Sequence, residues 1–221
     1  MRHADNCSRV RKRPIFEPSK MSQIVIPVYF DYASTLCYVA WRIVGQLERE
    51  LGFTALWKGV PIALRNYRTR SGLPLGPREL ETIRNVAAET GIAVEPPARW
   101  LDSDKALQGS ELAREAGTFA AYHDAVFRAA FEQRTDIGNL EVLSAIAAGA
   151  GIDPTHFRDE VERGRMASRI AANKIEADRF SALGYPSFIL GDFPLTGIQP
   201  IDTMRKLLAR FIERRAAEPQ A

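Results

Sequence analysis

Strand-forming sequence in this 221-residue chain is confined to its two ends, with about one hundred residues of helical pattern between them. At the first end, "QIVIPVYFD" (23–31) is rich in β-branched and aromatic residues and bounded by a turn, which marks a buried strand. Residues 35–51 carry Leu36, Val39, Ala40, Ile43, Val44, Leu47 and Leu51 at three-and-four spacing, with Gly52 as a stop. That spacing predicts an amphipathic helix. "FTALWKGVPI" (53–62) reads as a second strand ending at Pro61, and the short return from helix to strand predicts a parallel pair. At the other end, "YPSFILGDFPLTG" (185–197) holds two apolar runs about Gly191-Asp192, a hairpin signal. Gln199, Pro200, Ile201 and Asp202 then open a last helix over 201–215. The plan is βαβ, a helical block, then ββα.

The middle differs in character. Residues 66–102 are punctuated by Gly and Pro around one predicted helix, Arg78 to Thr90. Helical pattern follows over 104–116, 118–133, 140–149 and 154–183, with Arg134 and Asp136 in a turn between two of these helices. Asp153 is a good N-cap ahead of Pro154 at the first helical position. The expected division is a basic tail over 1–22, an α/β half over 23–65, a helical insertion over 66–172, the second α/β half over 173–216, and a short tail over 217–221.

Composition excludes several classes. With 46% hydrophobic and 26% charged residues, the chain can build an ordinary globular core. The net charge of +3 comes partly from Arg2, Arg9, Arg11, Lys12 and Arg13, a pattern more typical of a solvated tail than of a nucleic-acid arm. Met21 runs straight into the first strand, so residues 1–20 read either as a tail or as an over-long start. No apolar signal region opens the chain and no membrane-length apolar run occurs. Two cysteines, Cys7 and Cys37, make neither a disulfide framework nor a zinc site and suit a reducing compartment. A cytoplasmic protein with no metal, nucleic-acid or membrane partner is expected.

The chemistry concentrates at "YFDYASTLCYVA" (29–40), where the strand ends at Asp31 and the helix begins at Ser34. Serine is a preferred N-cap. A helix start also presents unpaired N–H groups and the positive end of the dipole, which stabilise an anion. A serine there cannot do redox chemistry, but it can donate a hydrogen bond to a bound thiolate. Cap and donor are compatible roles. Cys37 lies one turn in, either as a small buried hydrophobe or as a lone thiol open to mixed disulfides.

Three stretches carry a resemblance. "FDYASTLCYVAW" resembles the D-x-x-C-P-W-C-Y segment of DsbA-like proteins of the FrnE type. It also resembles the D-x-x-S-P-x-S segment of 2-hydroxychromene-2-carboxylate isomerases and kappa-class glutathione transferases. "AVFRAAFEQRTDIGNLEVLSAIAAGAGID" (125–153) and "LGYPSFILGDFPLTGIQPIDTMRKLL" (183–208) look like the insertion and C-terminal segments of these proteins. The resemblance implies a thioredoxin-like α/β fold with a large helical insertion, and glutathione as cosubstrate beside a second small molecule. It implies catalytic roles for Ser34 and Cys37, with Ser34 at the position of the reactive group, and it allows a homodimer. It implies a cis Pro186 with Tyr185 binding the cysteinyl backbone of glutathione, and Gly197 and Gln199 at its γ-glutamyl end. Trp57 falls where relatives line the substrate pocket, although a buried strand aromatic is the plainer reading. The G-I-Q-P at 197–200 departs from the W-G-x-D-R type of the isomerases and transferases and agrees with the FrnE type. His123 reads as a buried, hydrogen-bonded histidine and His156 as exposed.

Overall fold

The computed structural model describes residues 23–62 and 70–217. Cys7 and the basic tail lie outside these residues. Strand β1 (Ile24–Phe30) leads through the turn 31–34 into α1 (Thr35–Leu51), which ends at Gly52 in the left-handed region and returns as β2 (Phe53–Gly59). The helices α2 (Pro77–Thr90), α3 (Asp104–Glu115), α4 (Phe119–Phe131), α5 (Leu140–Gly149), α6 (Pro154–Glu162) and α7 (Ala167–Arg179) follow. The hairpin β3 (Ser187–Leu190) and β4 (Phe193–Thr196) and the helix α8 (Ile201–Ala217) close the fold.

The four strands form one sheet in the order β2-β1-β3-β4, with β1 parallel to β2 and antiparallel to β3. This is the thioredoxin-like plan expected from the ends of the chain. Alternation along β1 divides the sheet. Ile26, Val28 and Phe30 face the main core with α1, while Tyr29 faces a smaller cluster with Ala177 of α7, Ala182 and Ile189. Helices α1 and α8 pack together on the first side.

The helical insertion shares that main core. Phe127 and Phe131 of α4 join Phe30, Tyr32 and Tyr38 in one aromatic cluster, with Phe127 and Tyr32 centroids 4.9 Å apart. At the crossing of α3 with α4 and α6, Gly109 lies against Tyr122 and Phe157, where a Cβ has no room. The 154–183 stretch breaks into α6 and α7 because Gly164, at φ +65°, stops the first helix. The expected boundary at 172/173 falls inside the continuous helix α7.

Candidate functional site at the start of α1

Ser34 caps α1. Its backbone is extended, at φ −94° and ψ 117°, and its Oγ accepts the Cys37 N–H at 3.3 Å. The first turn of α1 holds no acidic side chain, so nothing on the helix itself offsets the positive end of its dipole. The Ser34 hydroxyl also donates to the carbonyl of Tyr185 at 3.3 Å, across 151 residues of sequence. The Tyr185-Pro186 peptide is cis, and Gly197, at φ +84°, donates its N–H to the Pro186 carbonyl at 2.7 Å. Ser34, Tyr185, Pro186 and Gly197 are thus brought together. Gln199 is exposed just before α8.

Cys37 is instead a core residue. Its exposure is 0%, and burial pushes its thiol up to about 12, against a lowering contribution from the Ser34 hydroxyl. The cause is its place on the helix: one turn in, it lies within the main core rather than at the helix end. The catalytic role expected of it is not one this position allows, because a thiol must be ionised and accessible to attack. Trp57 is likewise drawn inward. It pairs with Val28 across the sheet on the core face and packs edge-on against Phe30 and Trp41 at 5.9 and 5.6 Å.

His123 is fully buried, its Nδ1 is 2.8 Å from the Tyr32 hydroxyl, and burial holds it well below the usual histidine range. The rings of Phe30 and Trp41 meet it edge-on, each at 4.5 Å. This neutral histidine fastens Tyr32, two residues before Ser34, to the insertion. His156 is exposed, and Arg134 and Asp136 lie in the turn between α4 and α5.

Two features of the site lie beyond the sequence reading. One is a pocket of about 190 Å³ lined by Ala33 and Thr35 on either side of Ser34, by Leu75 and Ile83, and by Trp100 and Phe131. Its walls come from four separate segments, so no local motif marks it. The other is Asp31, 1% exposed, whose carboxylate accepts the N–H of Ala33 at 2.8 Å and of Ile62 at 2.6 Å. An acid closing an apolar strand was its sequence signal. Burial pushes it up to about 6 even though these bonds favour its charged form. Among the described residues no group of side chains could hold a metal, and no helix is long and apolar enough to cross a membrane.

Comparison with known proteins agrees with this fold. The family model of the DSBA-like thioredoxin domain matches residues 25–209. A Bacillus subtilis (strain 168) protein named YwbO is 23% identical over 192 residues, 83% of this chain and 95% of that one. A 2-hydroxychromene-2-carboxylate isomerase structure superposes with a TM-score of 0.70 at 21% identity, covering 87% of this chain and 98% of that one. The cytosolic disulfide reductase DsbM from Pseudomonas aeruginosa, solved with GSH, gives 0.67 at 18% identity, covering 86% and 100%.

Proposed function

The chain belongs to the DsbA-like thioredoxin domain family, and within it we propose a glutathione-dependent enzyme in which Ser34 holds the thiolate of bound glutathione. One observation carries the reading. The Ser34 hydroxyl stands at a helix start with no acid in its first turn, against the carbonyl before a cis proline, while the one cysteine among the described residues is sealed beneath it. The protein's own sulfur is unavailable, and the surroundings suit a sulfur anion brought by a ligand.

When glutathione docks, its cysteinyl N–H takes the Tyr185 carbonyl. That frees the Ser34 hydroxyl to donate to the sulfur, and the α1 dipole holds the thiolate ionised. Gly197 closes the other end of this groove. The apolar pocket between Ala33, Thr35 and Phe131 receives the second substrate. A thiolate there adds to an electrophilic carbon, as a transferase does, or adds and leaves again, as an isomerase does. The GSH-bound Pseudomonas relative supports the cosubstrate, and the isomerase structure supports a non-redox outcome. The Pseudomonas disulfide reductase favours a second reading, attack of glutathione on a disulfide substrate in the same pocket. A reducing cytoplasm supplies the thiol in either case.

Glutathione should raise the melting temperature, since a ligand at a hundred times its Kd adds about 2.7 kcal/mol to stability. An unchanged melting temperature at millimolar glutathione leaves a thioredoxin-fold binding protein as the better description. Turnover of electrophiles or of glutathionylated disulfides then separates the two catalytic readings.

A further inference from the structure

The buried carboxylate of Asp31 has no part in holding glutathione, yet it sits directly under the site. Its two oxygens are divided between two elements: Oδ1 accepts the N–H of Ala33, the residue before Ser34, and Oδ2 accepts the N–H of Ile62 beyond the end of β2. The backbone closes the same turn, with Ser34 N–H donating to the Asp31 carbonyl at 3.1 Å. Ser103, at the head of α3, lines the same cavity and favours the charged form of Asp31. A cavity of about 200 Å³ opens onto this carboxylate, lined by Asp31, Pro61, Ile62, Ser103 and Asp104 among others. No basic residue lines it among the described residues.

We propose that Asp31 is the positioning residue for Ser34, and that only its ionised carboxylate, reached by protons through this cavity, locks the site turn to the end of β2. The chemistry of the carboxyl requires it. A carboxylate accepts at both oxygens, whereas a protonated acid donates at one of them. On protonation either Ala33 or Ile62 loses its acceptor, and a buried N–H without one is costly. Among the described residues, the groups facing Asp31 from neighbouring elements are Cys37 of α1, Tyr185 of the cis-proline loop, Ser103, and the acids Asp102 and Asp104 at the cavity. None of them offers a positive charge, and burial moves the carboxyl into mild acid.

The test is amide NMR of the full chain from about pH 7.5 to about pH 5. The Ala33 and Ile62 resonances should move together through one transition near pH 6 that is absent from Asp31→Asn. Amides that stay still, or that move identically in the variant, overturn the proposal. Should the variant not fold, the Asp31 side-chain carbon followed in the wild type decides. A carboxyl that titrates apart from the two amides also overturns it. A second readout rests on the glutathione reading and uses S-methylglutathione, whose sulfur carries no proton. One pH unit below the transition its affinity should fall about tenfold, the fraction of turns still locked. Affinity that ignores the amide transition overturns the positioning role. Absence of binding at every pH, with the amide transition intact, tells against the glutathione reading and still supports Asp31 as the lock on the turn.

Discussion

The starts of α1 and α6 are built on the same principle and end in different uses. Asp153 caps α6 by accepting the His156 N–H at 2.7 Å, as Ser34 caps α1 through the Cys37 N–H. Asp153 brings its own negative charge to the helix dipole and lies exposed. Ser34 is neutral, is followed by a first turn without acids, and faces the cis-proline loop. A helix start that carries its own anion is complete as structure. One whose cap is neutral and whose first turn holds no acid, with a hydrogen-bonding wall opposite, has room for a foreign anion. The difference lies in what the fold sets against the cap, not in the cap itself.

The largest effect should come from making α1 resemble α6. Ser34→Asp keeps the capping oxygen but installs a resident anion, so glutathione binding should vanish while the melting temperature of the free protein stays near wild type. Ser34→Ala removes the donor instead. Turnover should fall by about 10²–10³, as for loss of one donor to a developing anion, with at most about 1 kcal/mol lost from the cap. Unchanged turnover in Ser34→Ala would remove Ser34 from the mechanism.

The second effect concerns Asp31 and global stability. Its carboxyl is pushed up to about 6 in the fold from an ordinary 3.8. The folded state therefore binds the proton more tightly than the unfolded state. The group's favourable contribution is fully present below 3.8 and is lost as pH rises through about 6. Denaturant titrations at about pH 4 and pH 7 should show wild type losing about 2–3 kcal/mol relative to Asp31→Asn. An equal pH dependence in both proteins would mean that Asp31 is ionised in the fold without cost. Asp153, exposed at its own helix start, should give no such difference.

Legibility in the sequence followed the range of the interactions. α1 and α5 have the bounds that their periodicity predicts, because a helix is decided by neighbours three and four residues away. The cap at Ser34, the cis Pro186 and the hairpin about Gly191 were legible for similar reasons, the first two with help from the resemblance. Trp57 is the buried strand aromatic of the plainer reading, since sheet register decides which face a strand residue takes. The Asp31 bond to Ile62 spans 31 residues, and the apolar pocket gathers four segments, so neither arrangement is decided by neighbouring residues. The depth of Cys37 was open between two readings until the helix was set against the sheet.

Cys37 offers a smaller test. Cys37→Ala removes one buried sulfur, so a stability loss of about 1 kcal/mol is expected from the lost packing. Turnover should be unchanged, since glutathione supplies the reacting sulfur. Activity that disappears with Cys37 would reinstate a protein thiol in the chemistry.

The smallest effect should come from the reverse exchange at α6. Asp153→Ser gives that helix the same cap as α1, and serine and aspartate are near-equal as N-caps. Stability should change by no more than a few tenths of a kcal/mol, with the lost charge-dipole term the main part. No glutathione binding should appear at α6, because the Tyr185 carbonyl that Ser34 meets across the site stands at α1. Isothermal titration of the double variant Ser34→Ala/Asp153→Ser isolates the point. Heat of binding recovered there would make a bare helix start sufficient for the thiolate. Its absence would leave the cis-proline loop as the part that turns a cap into a site.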